Sequence, residues 1–199
     1  MSTFELFLKL GFQHISDITA YDHILFLVAL CALYLIRDWK KIAVLVTAFT
    51  IGHSISLALA TLEIVQVSSE LIEFLIPVTI LLTAIFNFFQ QPATGGKTFD
   101  SRQIRNYAIA LFFGIIHGLG FSNYLRAMLD AEESIVVPLL SFNIGLEIGQ
   151  LLIVGVILAI SYVFVDVVKI KRKYWIYALS IFAAIVAISL MIDTGKNLF

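Results

Sequence analysis

The chain is short of cysteine and of charge, and each shortage excludes something. Its single cysteine, Cys31, sits in an apolar run, which excludes an intramolecular disulfide framework and any CxxC metal or redox motif. Such a thiol reads as a small core or lipid-facing residue. Charged residues are 14% of the 199, against roughly 25% in soluble domains. The formal net charge is −1, so the basic excess that marks nucleic-acid binding is missing. No GxxxxGK[ST] loop occurs, and ATP hydrolysis by a P-loop is not expected. The first ten residues lack a basic n-region, and His14, Asp17, Asp22 and His23 follow where a cleavage site would lie. A cleavable signal peptide is therefore not expected, and the first membrane helix does the targeting.

What is present is apolar. Hydrophobic residues make up 60% of the chain, with a mean hydropathy of +0.98. A helix needs about 20 mostly apolar residues to cross the hydrocarbon core. Six stretches qualify: Asp22–Ile36, Ile42–Leu62, Leu71–Phe89, Tyr107–Leu129, Ile135–Val168 and Tyr174–Ile192. The expected fold is an all-α polytopic membrane bundle, one domain over 1–199, in contact with lipid throughout. Residues 1–21 form an interfacial N-terminal segment, with Phe4, Phe7, Leu8 and Leu10 alternating with polar groups as in a helix lying on a membrane surface. The polar loop Gln90 to Asn106 reads as a connector between two groups of three spans. Phe49-x-x-x-His53 and Phe113-x-x-x-His117 echo one another, but two such matches do not establish a duplication.

Ten of the 13 basic residues follow spans one, three and five: Arg37, Lys40, Lys41, Lys97, Arg102, Arg105, Lys169, Lys171, Arg172 and Lys173. Lys9, Arg126 and Lys196 lie on the other side. Because lysine and arginine stay in the cytoplasm, both termini are expected outside it. Trp39 and Trp175 flank the inner boundary as interfacial anchors.

Against this background the polar groups within the spans stand out. Ionisable side chains there cost a few kcal/mol each on insertion scales and face the bundle interior or a water-filled cavity. All four histidines, His14, His23, His53 and His117, fall in or beside spans, together with Asp22, Glu73 and Glu147. No lysine or arginine is near the middle of any span, so the neutraliser of these carboxylates is a metal cation or a proton. His53 lies eleven residues past Ile42, His117 ten past Tyr107 and Glu147 twelve past Ile135. At about 1.5 Å per residue, all three reach a similar depth just outside mid-membrane. The candidate ligands are His14, Asp22, His23, His53, His117 and Glu147. Thr50, Ser54, Asn143, Gln150 and Glu73 are placed to support them, since ligating histidines pass their second N–H to such groups. Glycines at 52, 114, 118, 120, 145 and 149 permit close helix approach.

These motifs resemble the HupE/UreJ family of small bacterial membrane proteins. The matching segments are Gly11-Phe12-Gln13-His14 with Asp22-His23-Ile24-Leu25-Phe26; Ala48 to Ser54; Phe113 to Phe121; and Phe142 to Gln150, with Glu73 between them. The resemblance implies a bacterial inner-membrane accessory protein of hydrogenase or urease maturation, and hence nickel uptake. It departs from the family's nickel permeases at Phe113, where they carry a further histidine, and at Gly120, where they tend to carry an acid. The seven residues between His14 and Asp22-His23 also exceed the gap typical of them. The chain thus looks like the broader UreJ-like branch.

Two functions are expected from these residues. The first is a divalent-metal permease or metal-binding accessory protein, with nickel or zinc as the ion, because imidazole suits both. The second is an intramembrane zinc-dependent hydrolase of lipid-like amides or esters. In it three histidines leave an open position on the metal, and Glu147 or Asp22 serves as base.

Overall fold

A computed structural model gives the fold and describes residues 1–18, 21–90, 97–129 and 134–198. Among these, all regular structure is helical: α1 Thr3–Ser16, α2 Asp22–Cys31, α3 Trp39–Thr61, α4 Ser69–Phe89, α5 Ser101–Leu129, α6 Val136–Tyr162 and α7 Arg172–Leu198. A 3-10 turn, Ile36–Asp38, leads into α3, and a π-helical turn, Val163–Val167, extends α6. The protein is a helical membrane bundle. Five helices, α3 to α7, are long and apolar enough to cross a membrane. Residues 91–96 of the expected connector lie outside the described residues.

The first expected span is different. α2 is a ten-residue helix, about 15 Å long at 1.5 Å per residue and half of a ~30 Å hydrocarbon core. Ala32, Leu33, Tyr34 and Leu35 continue its apolar run but form a turn, and all four are buried. Their backbone is satisfied inside the protein. Tyr34 N–H donates to the Cys31 carbonyl at 2.9 Å, and Arg172 Nη2 donates to the Leu33 carbonyl at 2.7 Å. Irregular backbone at membrane depth is stable where protein, not lipid, surrounds it.

The N-terminal segment also does more than lie on a surface. α1 opens on a capping box: Ser2 Oγ accepts from Glu5 N–H at 3.2 Å, and Ser2 N–H donates to the Glu5 carboxylate at 2.9 Å. The helix then packs along α6, in one of the two most extensive helix contacts of the molecule; the other joins α3 and α5. Glycine makes both possible. A Cβ at Gly11 would overlap the Phe142 carbonyl, and one at Gly145 the Leu8 carbonyl; Gly52 and Gly114 stand likewise on Leu111 and Phe49. The outward faces of α3 and α6 carry Ile51, Ile55, Ile144 and Ile148, as lipid contact requires.

Polar contacts sort the loops by end. At one end Asp38 reaches Lys41 at 3.4 Å and Arg172 at 3.7 Å, all of them largely buried, and Tyr34 OH donates to Gln103 Oε1 at 3.0 Å. At the other, Arg126 pairs with Glu63 at 3.1 Å and Gly195 near the C-terminus faces Phe74 at the start of α4. α1 runs parallel to α6, so both termini share that second end.

Candidate metal centre

Three elements bring imidazoles together: His14 from the last turn of α1, His23 from the first turn of α2 and His53 from the middle of α3. One ring nitrogen of each lies within 4.8 Å of the others. The rings of His14 and His23 meet edge-on at 4.6 Å, and His14 and His53 stand 6.1 Å apart. His117 of α5 adjoins from the far side of His23, ring to ring 5.3 Å. His53 is 0% exposed, His117 1% and His23 4%.

The surroundings are aromatic. Phe121 lies 4.1 Å from the His14 ring, Phe142 stacks on His53 at 6.3 Å, and Phe26 and Phe49 each approach His117 at 5.1 Å. Such a wall offers the nitrogens no hydrogen bonds. His14 Nε2, His23 Nε2, both nitrogens of His53 and His117 Nδ1 are buried without a partner. A buried polar atom left unsatisfied costs about 1–3 kcal/mol; one of the two His53 nitrogens carries the ring proton, so the cluster offers at most four free lone pairs that could hold a cation.

Two neighbours fix tautomers. His23 Nδ1 meets Asp22 Oδ1 at 3.2 Å; a carboxylate only accepts, so the proton sits on Nδ1 and Nε2 is the free donor. Thr79 Oγ1 gives its single proton to the Ile76 carbonyl at 2.7 Å and therefore accepts from His117 Nε2–H at 3.1 Å. His117 Nδ1 keeps its lone pair.

The remaining expected residues lie around this centre. Glu147 is not among the clustered ligand atoms; its Oε1 accepts from Thr47 at 2.6 Å. Thr50 donates to Gln150 Oε1 at 2.7 Å, which ties α3 to α6 below His53. Asn143 neighbours His53 with Oδ1 unpartnered, while Ser54 donates to the Thr50 carbonyl of its own helix. Glu73, exposed, lines a cavity with Tyr21, Asp22, Pro77 and Thr194, so two carboxylates share it. Sequence reasoning missed Thr79, a hydroxyl on the buried face of α4 eight residues after Leu71, and the aromatic wall.

A family model described as HupE / UreJ protein matches residues 1–194. The chain belongs to the HupE/UreJ family. The match runs from α1 nearly to the end of α7, so it takes in every helix that carries an imidazole. HupE/UreJ membership and the histidine cluster agree on the chemistry, which is metal handling. Comparison with curated proteins and with solved structures gives no match.

Proposed function

We propose that this HupE/UreJ protein is a permease, or a membrane accessory protein of metalloenzyme maturation, for a divalent transition-metal ion of the nickel type. It would sit in the bacterial inner membrane with both termini outside the cytoplasm. The carrying observation is the convergence of His14, His23 and His53 with unpartnered nitrogens in a buried, aromatic-walled site. Neutral imidazole binds nickel, zinc and copper, and carries no charge to trap the ion permanently. Asp22 would orient His23 and balance charge, and Glu73 would raise the local cation concentration in the cavity the two share.

The hydrolase reading needs a free carboxylate next to the metal-bound water. Asp22 is engaged with His23, and Glu147, although its Oε2 is unpartnered, is not among the clustered ligand atoms, which favours passage over hydrolysis. The test is uptake of Ni²⁺ or Zn²⁺ into proteoliposomes holding the purified protein. Saturable uptake lost in His53→Ala supports the permease; binding without any uptake contradicts the permease, and absence of both contradicts the reading as a whole.

A further inference from the structure

The four helices that carry the close crossings form two pairs with the same crossing geometry, which we read as two copies of one unit. Gly52 stands on the Leu111 carbonyl and Gly114 on that of Phe49; Gly145 stands on the Leu8 carbonyl and Gly11 on that of Phe142. In all four contacts the carbonyl belongs to the third residue before the partner's glycine. The sequence says which helix matches which. Leu8-x-x-Gly11-x-x-His14 on α1 repeats as Leu111-x-x-Gly114-x-x-His117 on α5, and Phe49-x-x-Gly52 on α3 repeats as Phe142-x-x-Gly145 on α6. Chain order agrees: α1 precedes α3 as α5 precedes α6, and each helix crosses one from the other copy.

Direction follows from the same contacts. Residues touch in rising order along both partners: Gly52 meets Leu111 and Gly118 meets Ser56, Leu8 meets Gly145 and Ile15 meets Gly149. Each pair is therefore parallel. The pairs run oppositely, since Arg172, just beyond the turn that extends α6, reaches Asp38 at the start of α3 at 3.7 Å. The rotation relating the copies thus lies across the helices, in the membrane plane, as in transporters built from inverted repeats.

Under this rotation His14 and His117 are equivalent. His53 corresponds to Leu146, and α2 with His23 has no counterpart, because residues 130–135 between α5 and α6 are too few for a ten-residue helix. His23 therefore stands between two equivalent imidazoles, ring to ring 4.6 Å from one and 5.3 Å from the other. His117 is 1% exposed, its Nδ1 is unpartnered, and its Thr79 partner continues inward. Thr83 Oγ1 donates to the Thr79 carbonyl at 2.8 Å, and Thr83, Asn87, Gln90 and Asn106 supply the polar side of a chamber whose other side is Leu30, Leu33, Leu45, Phe86 and Ile109; Asn106 Oδ1 is also without a partner.

We propose that the cation alternates between two ligand sets that share His23, taken up by His14, His23 and His53 and handed to His23 and His117. Release then runs past Thr79 and Thr83 into the inner chamber. Two imidazoles hold the ion more weakly than three, and hydroxyl and amide oxygens replace its hydration on the way out. The proposal rests on the permease reading. The test compares parent, His14→Gln, His117→Gln and Thr79→Val for equilibrium Ni²⁺ binding in detergent and Ni²⁺ uptake in proteoliposomes. His14→Gln is expected to weaken binding about tenfold or more and by more than His117→Gln does, whereas His117→Gln and Thr79→Val slow Ni²⁺ uptake about tenfold, more than their loss of binding accounts for. Binding lost equally in His14→Gln and His117→Gln would overturn the hand-off in favour of one four-imidazole site, as would parental uptake rates in both His117→Gln and Thr79→Val. A parent that binds Ni²⁺ and never transports it would instead overturn the permease reading.

Discussion

At the scale of single residues the site depends on which nitrogen is free. Asp22 holds the proton of His23 on Nδ1, so Asp22→Asn keeps the shape but removes the carboxylate that favours that tautomer and the ligand's basicity. Loss of such outer partners costs 10–100-fold in metal affinity, and a weakening of about tenfold, near 1.4 kcal/mol, is expected by titration calorimetry. His53→Ala removes a ligand outright and should abolish stoichiometric binding while the protein stays extractable. Unchanged stoichiometry would remove His53 from the site. Imidazole must be neutral to donate, so binding competes with protons. Burial keeps the His14 imidazole neutral well below the ordinary histidine range, so affinity should hold from pH 8 to about 5.5 and fall only at lower pH. An affinity lost already between pH 8 and about 6.5 would speak against this buried cluster as the ligand set. The histidines themselves were legible in the sequence because ionisable groups in apolar runs have few structural uses. Their pairing was not: matching depth on spans suggested His53 with His117, but depth says nothing of rotation about the helix. The fold instead sets His14 and His23 against His53.

At the scale of elements, glycine decides how close the helices come. Gly114 faces the Phe49 carbonyl, whereas a Cβ at Gly155 would meet nothing within 4 Å. Gly114→Ala should therefore destabilise by about 1–3 kcal/mol, the range for overpacking, and Gly155→Ala should not. Thermal unfolding in detergent checks the pair, and equal shifts would contradict the crossing geometry. The six glycines inside spans announced tight packing, but not that Gly11 on α1 takes part. The amphipathic pattern of residues 1–16 is the same whether the apolar face meets lipid or α6, and only the Gly11–Phe142 approach distinguishes them. The short α2 was hidden for a related reason. Leu33, Tyr34 and Leu35 are as apolar as a span, and the partner that lets them turn, Arg172, is distant in sequence.

At the scale of the whole molecule, the alternation of loops between two ends of the bundle agrees with the asymmetry of basic residues. Cysteines placed at Val67 and Phe99, both exposed, should label from opposite faces of the membrane, Val67 from outside. The native Cys31 is fully buried and leaves the background silent. Labelling of both positions from one face would overturn the topology. The account as a whole rests on one claim, that buried imidazoles from three helices hold a single divalent ion. X-ray absorption at the zinc edge of the purified, Zn²⁺-loaded protein tests it most directly. The account predicts one ion per chain, with at least three nitrogen ligands at about 2.0–2.1 Å and the multiple scattering of imidazole rings, reduced in His14→Ala. A shell of oxygen ligands alone, or no retained ion, would contradict it.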